Sequence, residues 1–192
     1  MRFKYLKGDA RKLLHNFICE FPSTSPNLDD YGDEFPRYLT DNNFLLAAKL
    51  AEIDLEIFTS FKNSEKPISA SGLAHIAPED FDRLTLKLNA ALRLIRVRAQ
   101  DFEVWEGLSK DFAIVKGHSR GAQPYLTISP VEDQIIINIV PASYHEALAL
   151  VKNQNNLLEI AAKTLATDSN FNLSEFLTFC FKNNLITGFK FK

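Results

Sequence analysis

The residues that could ligate a metal ion or act as nucleophiles are scattered along the chain. Zinc and iron sites need His, Cys or carboxylate ligands at short fixed spacings such as H-E-x-x-H or C-x-x-C, and neither motif occurs. The glycine patterns of phosphate-binding and hydrolase sites are also absent. We therefore predict no catalytic residue, metal site or cofactor within this chain. The histidines and cysteines are His15, His75, His118, His145, Cys19 and Cys180.

Both cysteines lie in apolar, helix-like surroundings, beside Ile18 in one case and Phe181 in the other. The first seven residues lack the apolar core of a signal peptide, and no run of 18 apolar residues exists. The sequence therefore predicts a cytoplasmic protein. In that compartment we expect two reduced, buried thiols and no disulfide.

Basic residues cluster in one segment of the chain. Five of them and no acidic residue occur between residues 83 and 98. Arginine is enriched at interfaces and can bind carboxylates through two parallel hydrogen bonds. We therefore predict that Arg93, Arg96 and Arg98 contact a partner protein. The five residues are Arg83, Lys87, Arg93, Arg96 and Arg98.

Asp54 interrupts the longest predicted helix, residues 42–61, in which Asp41 is the expected N-cap. It projects from the middle of the apolar arc, where a carboxylate needs a partner. Two interpretations stay open. Asp54 forms a structural ion pair or cap with an arginine of the following segment, or it is a functional acid.

A glycine-flanked segment, Lys116 to Gly121, resembles a phosphate-binding loop in composition. It does not stand between a clear strand and a clear helix, as such a loop requires. We predict a surface loop, with a lid or a partner contact as the alternative.

Two predicted strands, residues 125–129 and 134–140, are rich in β-branched and aromatic residues, and residues 130–133 between them have turn chemistry. The pattern predicts a β-hairpin. In its second strand three isoleucines fall on one face at a period of two. The opposite face is mixed and carries Gln134, Ile136, Asn138 and Val140.

Three helices are predicted after the hairpin, at residues 143–152, 157–166 and 173–182, followed by a closing strand at 185–191. Asn156 is the expected cap of the second helix. The third helix has an apolar stripe that leaves Phe179 and Phe181 outside it, and we expect a partner to cover them. The stripe consists of Leu173, Phe176, Leu177 and Cys180.

This order of elements is the winged-helix plan, which commonly binds DNA. The third helix offers only Lys182 to phosphates, beside Glu175, and the net charge is −2. Recognition helices need arginine or lysine to neutralise phosphates and to read bases. The charge pattern therefore disfavours DNA binding, which stays an alternative.

The N-terminal part reads as helical, with further helices at residues 10–20, capped by Asp9, and 78–84. Extended segments at 85–88 and 91–98 and a helix at 101–108 follow. We predict an α+β protein, in which a helical region (1–82) precedes a winged-helix-like region with a small antiparallel sheet (83–192).

The last 70 residues or so, which contain PASYHEALALVKNQNNLLEIAAKTLATDSNFNLSEFLTFCFKNNLI, resemble the PqqD-like domains that bind peptides in ribosomal-peptide maturation. With LAAKLAEIDLEIF and LKLNAALRLIRVRAQDFEVWEGL, the chain from residue 42 onward resembles the HvfC family. Asp54 matches a position usually held by Glu, and Leu92, Arg93, Leu94 and Trp105 match its central block. The short length is similar to the methanobactin-pathway members, the MbnC type.

The resemblance implies a non-metal subunit that forms a heterodimer with an iron-dependent TIM-barrel oxidase of the MbnB type. Such a pair binds a cysteine-containing precursor peptide and converts its cysteines to oxazolone and thioamide groups. The iron belongs to the partner, and the chain is not an enzyme on its own. An autonomous enzyme is the third and least favoured class.

The resemblance also implies where the leader segment of the precursor binds. In PqqD-like domains the leader adds as a strand beside the hairpin and packs on the third helix. Strand addition uses backbone hydrogen bonds for affinity and alternate side chains for selectivity. We expect peptide contacts at Gln134, Ile136, Asn138, Val140, Phe176 and Phe179. Partner contacts are expected at Arg93, Arg96, Arg98 and Phe181.

Overall fold

The structure is a computed structural model that describes residues 10–24, 31–62, 76–108, 113–117, 123–131 and 134–191. The α+β class predicted from the sequence is confirmed. None of the helices in these ranges has the length and apolarity needed to cross a bilayer. The helices are α1 (Ala10–Glu20), α2 (Phe35–Asp41), α3 (Leu45–Lys62), α4 (Ala99–Leu108), α5 (Ala142–Lys152), α6 (Leu157–Thr167) and α7 (Leu173–Lys182). The strands are β1 (Leu84–Leu88), β2 (Arg93–Arg96), β3 (Ile114–Lys116), β4 (Tyr125–Val131), β5 (Gln134–Val140) and β6 (Ile186–Phe191).

The strands form two sheets where the sequence predicted one. β1 and β6 make a two-stranded antiparallel sheet, so the closing strand pairs with β1 and not with the hairpin. The predicted hairpin is confirmed as β4 and β5, and it belongs to a four-stranded sheet in the order β2-β4-β5-β3. In this sheet β3 runs parallel to β5, and the other pairs are antiparallel.

Helices α3 and α4 cover one face of the four-stranded sheet. The isoleucines predicted to share one face of β5 point toward these helices, and Ile135 and Ile137 are buried there. Their packing removes large apolar side chains from water on both sides of the contact. The central cluster consists of Leu50, Ile53, Ile57, Phe102, Trp105, Leu126, Ile128, Ile135 and Ile137.

Helices α5, α6 and α7 pack with β1 and β6 in a second core, the C-terminal cluster. Asparagine side chains cap two of these helices. Asn156 caps α6, as the sequence predicts, because its side chain accepts a hydrogen bond from the Glu159 amide at 2.7 Å. Asn172 caps α7 by accepting from the amides of Ser174 and Glu175. The buried residues are Leu84, Leu86, Leu92, Ala147, Leu148, Val151, Leu157, Ile160, Phe171, Phe176, Cys180, Leu185 and Ile186.

A third core, the N-terminal cluster, joins α1 and α2 to the start of α3. Phe17 is at its centre, with the rings of Phe35 and Tyr38 at centroid distances of 4.9 and 5.3 Å. Offset and edge-to-face ring contacts of this kind add to the burial term. The buried residues are Leu13, Phe17, Phe35, Tyr38, Leu39, Ala48 and Ala51.

Two predicted helix boundaries are wrong. Asp41 does not cap α3, because it is the last residue of α2. The chain then turns at Asn43, whose φ of 63° ends the helical path, before α3 begins at Leu45. The predicted helix 78–84 is a single 3₁₀ turn, Pro78–Asp80, and Leu84 opens β1. The predicted cap Asp9 lies outside the described residues.

Candidate functional site

The expectation that strand β5 is an open sheet edge is wrong at residues 136–138, where strands pair with both of its sides. β4 pairs with one side of β5 along its whole length, and β3 pairs with the other side at residues 136–138. Gly117 lets β3 approach this closely, because a Cβ at this φ of +95° would lie 2.8 Å from the carbonyl oxygen of Ile139. An added strand would have to displace β3.

The predicted peptide contacts do not form one accessible surface. Ile136, Asn138 and Val140 are buried on the sheet face opposite α3, and Gln134 is exposed at the start of β5. Asn138 donates from Nδ2 to the hydroxyl of buried Thr127 at 3.3 Å. Ile136, Asn138 and Val140 therefore belong to the interior of the fold.

Two of the three phenylalanines of α7, Phe176 and Phe179, face an aromatic group inside the C-terminal cluster. Phe176 is fully buried, with its ring centroid 5.4 Å from that of Tyr144, and half-buried Phe179 lies 5.3 Å from the same ring. Phe181 is also half-buried against this cluster. The apolar surface predicted outside the α7 stripe is thus covered in part by the chain itself.

The described strands leave an open edge at β2 instead. β2 is the terminal strand of the four-stranded sheet and pairs with β4 on one side only, from Arg93↔Ile128 to Arg96↔Tyr125. In an antiparallel pair, alternate residues direct their N–H and C=O groups away from the partner strand. Among the described strands none pairs with the outer side of β2, which therefore offers backbone groups to a further strand.

An open groove of about 700 Å³ lies beside this edge. Leu92, Arg93 and Leu94 line it from β2 and the residue before it. The lining thus combines apolar side chains, backbone groups and a few charges, as expected for a peptide site. The other walls are Leu55, Glu56 and Thr59 of α3, Lys87 to Ala90 at the end of β1, and Val151, Lys152 and Gln154 at the end of α5, with Asp33 at the rim.

Arg93 is fixed against α3 and does not project into solvent. Its guanidinium donates to the carbonyl of Ala90 at 2.8 Å and to that of Thr59 at 3.2 Å. The carboxylate of Glu56 lies 3.5 Å from Nε, and 20% of the Arg93 side chain is exposed. Arg93 therefore anchors the edge strand to α3.

Arg98 is also paired within the chain. It forms two hydrogen bonds with Asp101, at 2.7 and 3.0 Å, and Asp101 is buried in the first turn of α4. The hydrogen bond and the charge of Asp101 raise the pKa of Arg98. The pair compensates a buried carboxylate and starts α4.

Arg96 differs from its two neighbours, because its guanidinium lies over the ring of Tyr125 at 5.0 Å from the centroid. The ring of Tyr125 in turn lies 4.8 Å from that of His145 on α5. Burial, and secondarily the charge of Arg96, lower the pKa of His145, so the imidazole is neutral near pH 7. The three arginines predicted to contact a partner thus face three different surroundings.

Asp54 accepts a hydrogen bond from the indole Nε1 of Trp105 at 2.9 Å. The prediction that this carboxylate needs a partner is confirmed, but the partner is the indole of α4 and not an arginine. Trp105 lies 51 positions from Asp54, so no local sequence pattern links the two residues. Only the packing of α4 on α3 reveals this hydrogen bond.

The thiols differ in their surroundings. Cys180 is buried as predicted, but Cys19 is exposed on α1, where its sulfur lies 3.7 Å from Nε2 of His15. Across the described ranges no three His, Cys, Asp or Glu side chains form a group that could hold a metal ion. Lys116, the first residue of the glycine-flanked segment, is the last residue of β3. The structure does not describe His75 or residues 118–121, which include His118.

No protein-family model, curated protein or solved structure matches this chain. The resemblance to the HvfC family therefore stays an expectation from the sequence. The site that the structure offers, the β2 edge with its groove, rests on geometry alone.

Proposed function

We propose that this chain is the peptide-binding subunit of a cytoplasmic, iron-dependent peptide-modifying oxidase. In this proposal it forms a heterodimer with an MbnB-type iron protein and presents a cysteine-containing precursor to it. The partner supplies the iron, and the products are oxazolone and thioamide groups of the methanobactin type. The resemblance supports the pathway, and the open edge of β2 beside a groove supports peptide binding.

The single observation that carries peptide binding is the side of β2 along the groove, with which no described strand pairs. A strand added there lies about 4.8 Å from β2 and gains ladder hydrogen bonds without displacing any described strand. Its side chains alternate between the α3 wall and the wall made by β1 and α5. Leu88, Leu92 and Leu94 give this groove apolar contact surface.

Filling the groove tests this placement. Ala90 lines the groove and is exposed, so Ala90→Trp introduces bulk there without removing a core side chain. The matched control is Ala162→Trp, at an exposed position on α6 outside the groove. We expect the first variant to weaken binding of the leader of a co-encoded precursor by at least about tenfold in fluorescence anisotropy titrations, a change of about 1.4 kcal/mol, and the control to leave it unchanged.

Both variants must keep the wild-type circular dichroism spectrum and melting temperature. If folded Ala90→Trp binds the leader with wild-type affinity, the peptide binds elsewhere.

The enzymatic role is tested by co-expression with an iron protein and a precursor encoded beside this chain. Mass spectrometry of the peptide should show the mass changes of oxazolone and thioamide formation only when both proteins are present. An unmodified precursor and no co-purification would contradict the heterodimer. Salt-sensitive retention on DNA, in place of peptide binding, would favour the winged-helix alternative.

A further inference from the structure

Three arginines of the basic segment, Arg93, Arg96 and Arg98, differ in whether a carboxylate of the described residues already neutralises them. Arg93 has Glu56 at 3.5 Å, and Arg98 has Asp101 at 2.7 Å. Arg96 has no carboxylate within 4.0 Å among the described residues, and its contact is the ring of Tyr125. Among these three arginines, Arg96 is the one whose charge the described fold leaves for another molecule.

The surroundings of Arg96 orient it for this role. It is exposed at the last position of the open β2 edge, opposite Tyr125 on β4. The cation–π contact with Tyr125 holds the guanidinium beside the end of β2, and the ring of His145 on α5 packs against that of Tyr125. The N–H groups at the edges of a guanidinium match the two oxygens of a carboxylate.

We propose that Arg96 selects an acidic residue, Asp or Glu, in the peptide strand that adds to β2. This inference rests on the proposed peptide site and adds the chemistry of the peptide it accepts. An acidic side chain beside Arg96 forms a cross-strand pair of opposite charge, which stabilises one register of the added strand.

Selection from a displayed library of random dodecapeptides tests the proposal without knowledge of the natural peptide. The full-length chain is compared with Arg96→Gln, Arg96→Glu and the control Arg11→Glu, an exposed arginine on α1 away from the groove. Wild type and control should enrich peptides with Asp or Glu at one fixed position. Arg96→Gln should lose that preference, and Arg96→Glu should replace it with Lys or Arg.

Individual peptides from the wild-type pool give the magnitude. Changing their fixed acid to Asn or Gln should weaken binding to wild type by about tenfold, the loss of one charge-assisted contact. The same change should have little effect on binding to Arg96→Gln. Enriched peptides that need the open groove but show no acidic preference would overturn the role of Arg96 and leave the peptide site standing.

The other failures are separate. Enriched peptides that bind Ala90→Trp as well as wild type would overturn the peptide site itself, and so would a wild-type selection that enriches nothing. Unchanged melting temperatures of the Arg96 variants, expected for an exposed side chain, exclude unfolding as the cause of any loss.

Discussion

At the scale of single residues, the fold tolerates a carboxylate in an apolar arc because a distant side chain satisfies it. Asp54 lies on α3 among side chains of the central cluster, and its hydrogen bond from Trp105 joins α3 to α4. A buried or half-buried carboxylate without a donor costs more than the net value of the bond itself. The pair should therefore matter for stability.

Replacing Trp105 by Phe removes the indole donor and leaves an aromatic ring in the core. We expect the free energy of unfolding to fall by about 2 to 4 kcal/mol, from the unsatisfied carboxylate and the smaller ring. Urea titration followed by circular dichroism measures this, because Trp105 is the single tryptophan and its fluorescence is lost. Asp54→Asn, which keeps a side-chain oxygen acceptor, should cost less than half as much, and an equal cost would contradict the role of the bond.

The buried thiol of Cys180 makes the free energy of unfolding depend on pH in the alkaline range. Burial raises the pKa of Cys180 above its ordinary value of 9.0. Above about pH 9 the folded state therefore keeps a proton that the unfolded state releases. The contribution of this thiol to the free energy of unfolding is complete below that pH. Above it, the free energy of unfolding falls by about 1.4 kcal/mol per pH unit.

Urea titrations between about pH 8 and about pH 10 should show this slope, and Cys180→Ala should reduce it by the thiol's share. Comparing slopes, and not absolute stabilities, removes the packing cost of the alanine. Equal slopes in the two proteins would show that the thiol ionises alike in both states.

At the scale of elements, the C-terminal helices are defined by local signals. α6 begins with a reciprocal capping box: the Asn156 side chain accepts from the Glu159 amide, and the Glu159 side chain accepts from the Asn156 amide at 3.1 Å. Such a box satisfies two amides that the first helical turn leaves without partners. The helix boundary therefore coincides with the residues that the sequence indicates.

Removing the cap should destabilise the whole C-terminal cluster and not α6 alone, because Leu157 and Ile160 of this helix are core residues. We expect Asn156→Ala to lower the free energy of unfolding by about 1 kcal/mol. Glu159→Gln, which keeps an acceptor oxygen for the Asn156 amide, is the matched control and should cost less. A neutral Asn156→Ala in chemical denaturation would show that the cap contributes nothing to the folded state.

At the scale of the whole molecule, α3 connects the predicted helical region to the α+β region. Ala48 and Ala51 face the N-terminal cluster, and Ile53 and Ile57 pack on the four-stranded sheet. The predicted boundary at residues 82 and 83 lies after this helix. The two regions therefore share a core element across that boundary.

A fragment of residues 83–192 tests this sharing. Without α3 it exposes the sheet face that carries Leu126, Ile128 and Ile137, which are fully buried in the intact chain. Apolar faces of this kind cause association and dye binding. We expect the fragment to bind 1-anilinonaphthalene-8-sulfonate and to elute as aggregates in size exclusion, whereas the full chain does neither. A monomeric fragment with a cooperative melt would show that the α+β region folds alone.

The sequence by itself determined the elements whose signals are local. The hairpin, α1 and the three C-terminal helices follow from hydrophobic period and from caps such as Asn156, because each depends on residues a few positions apart. The inward isoleucines of β5 follow from the same period. Chemistry-bearing motifs were also absent from the sequence, so no catalytic residue was expected in this chain.

The tertiary structure alone decided which edges are open and which charges are paired. β3 has three residues, too few for a period to be read, yet it pairs with β5 where the peptide was expected. β2 is instead a terminal strand of this sheet, with no described strand on its outer side. The partner of Asp54 lies 51 positions along the chain, Arg93 pairs with Glu56 of α3, and Arg96 lies over the ring of Tyr125. These features depend on contacts between distant segments, for which a local pattern carries no signal.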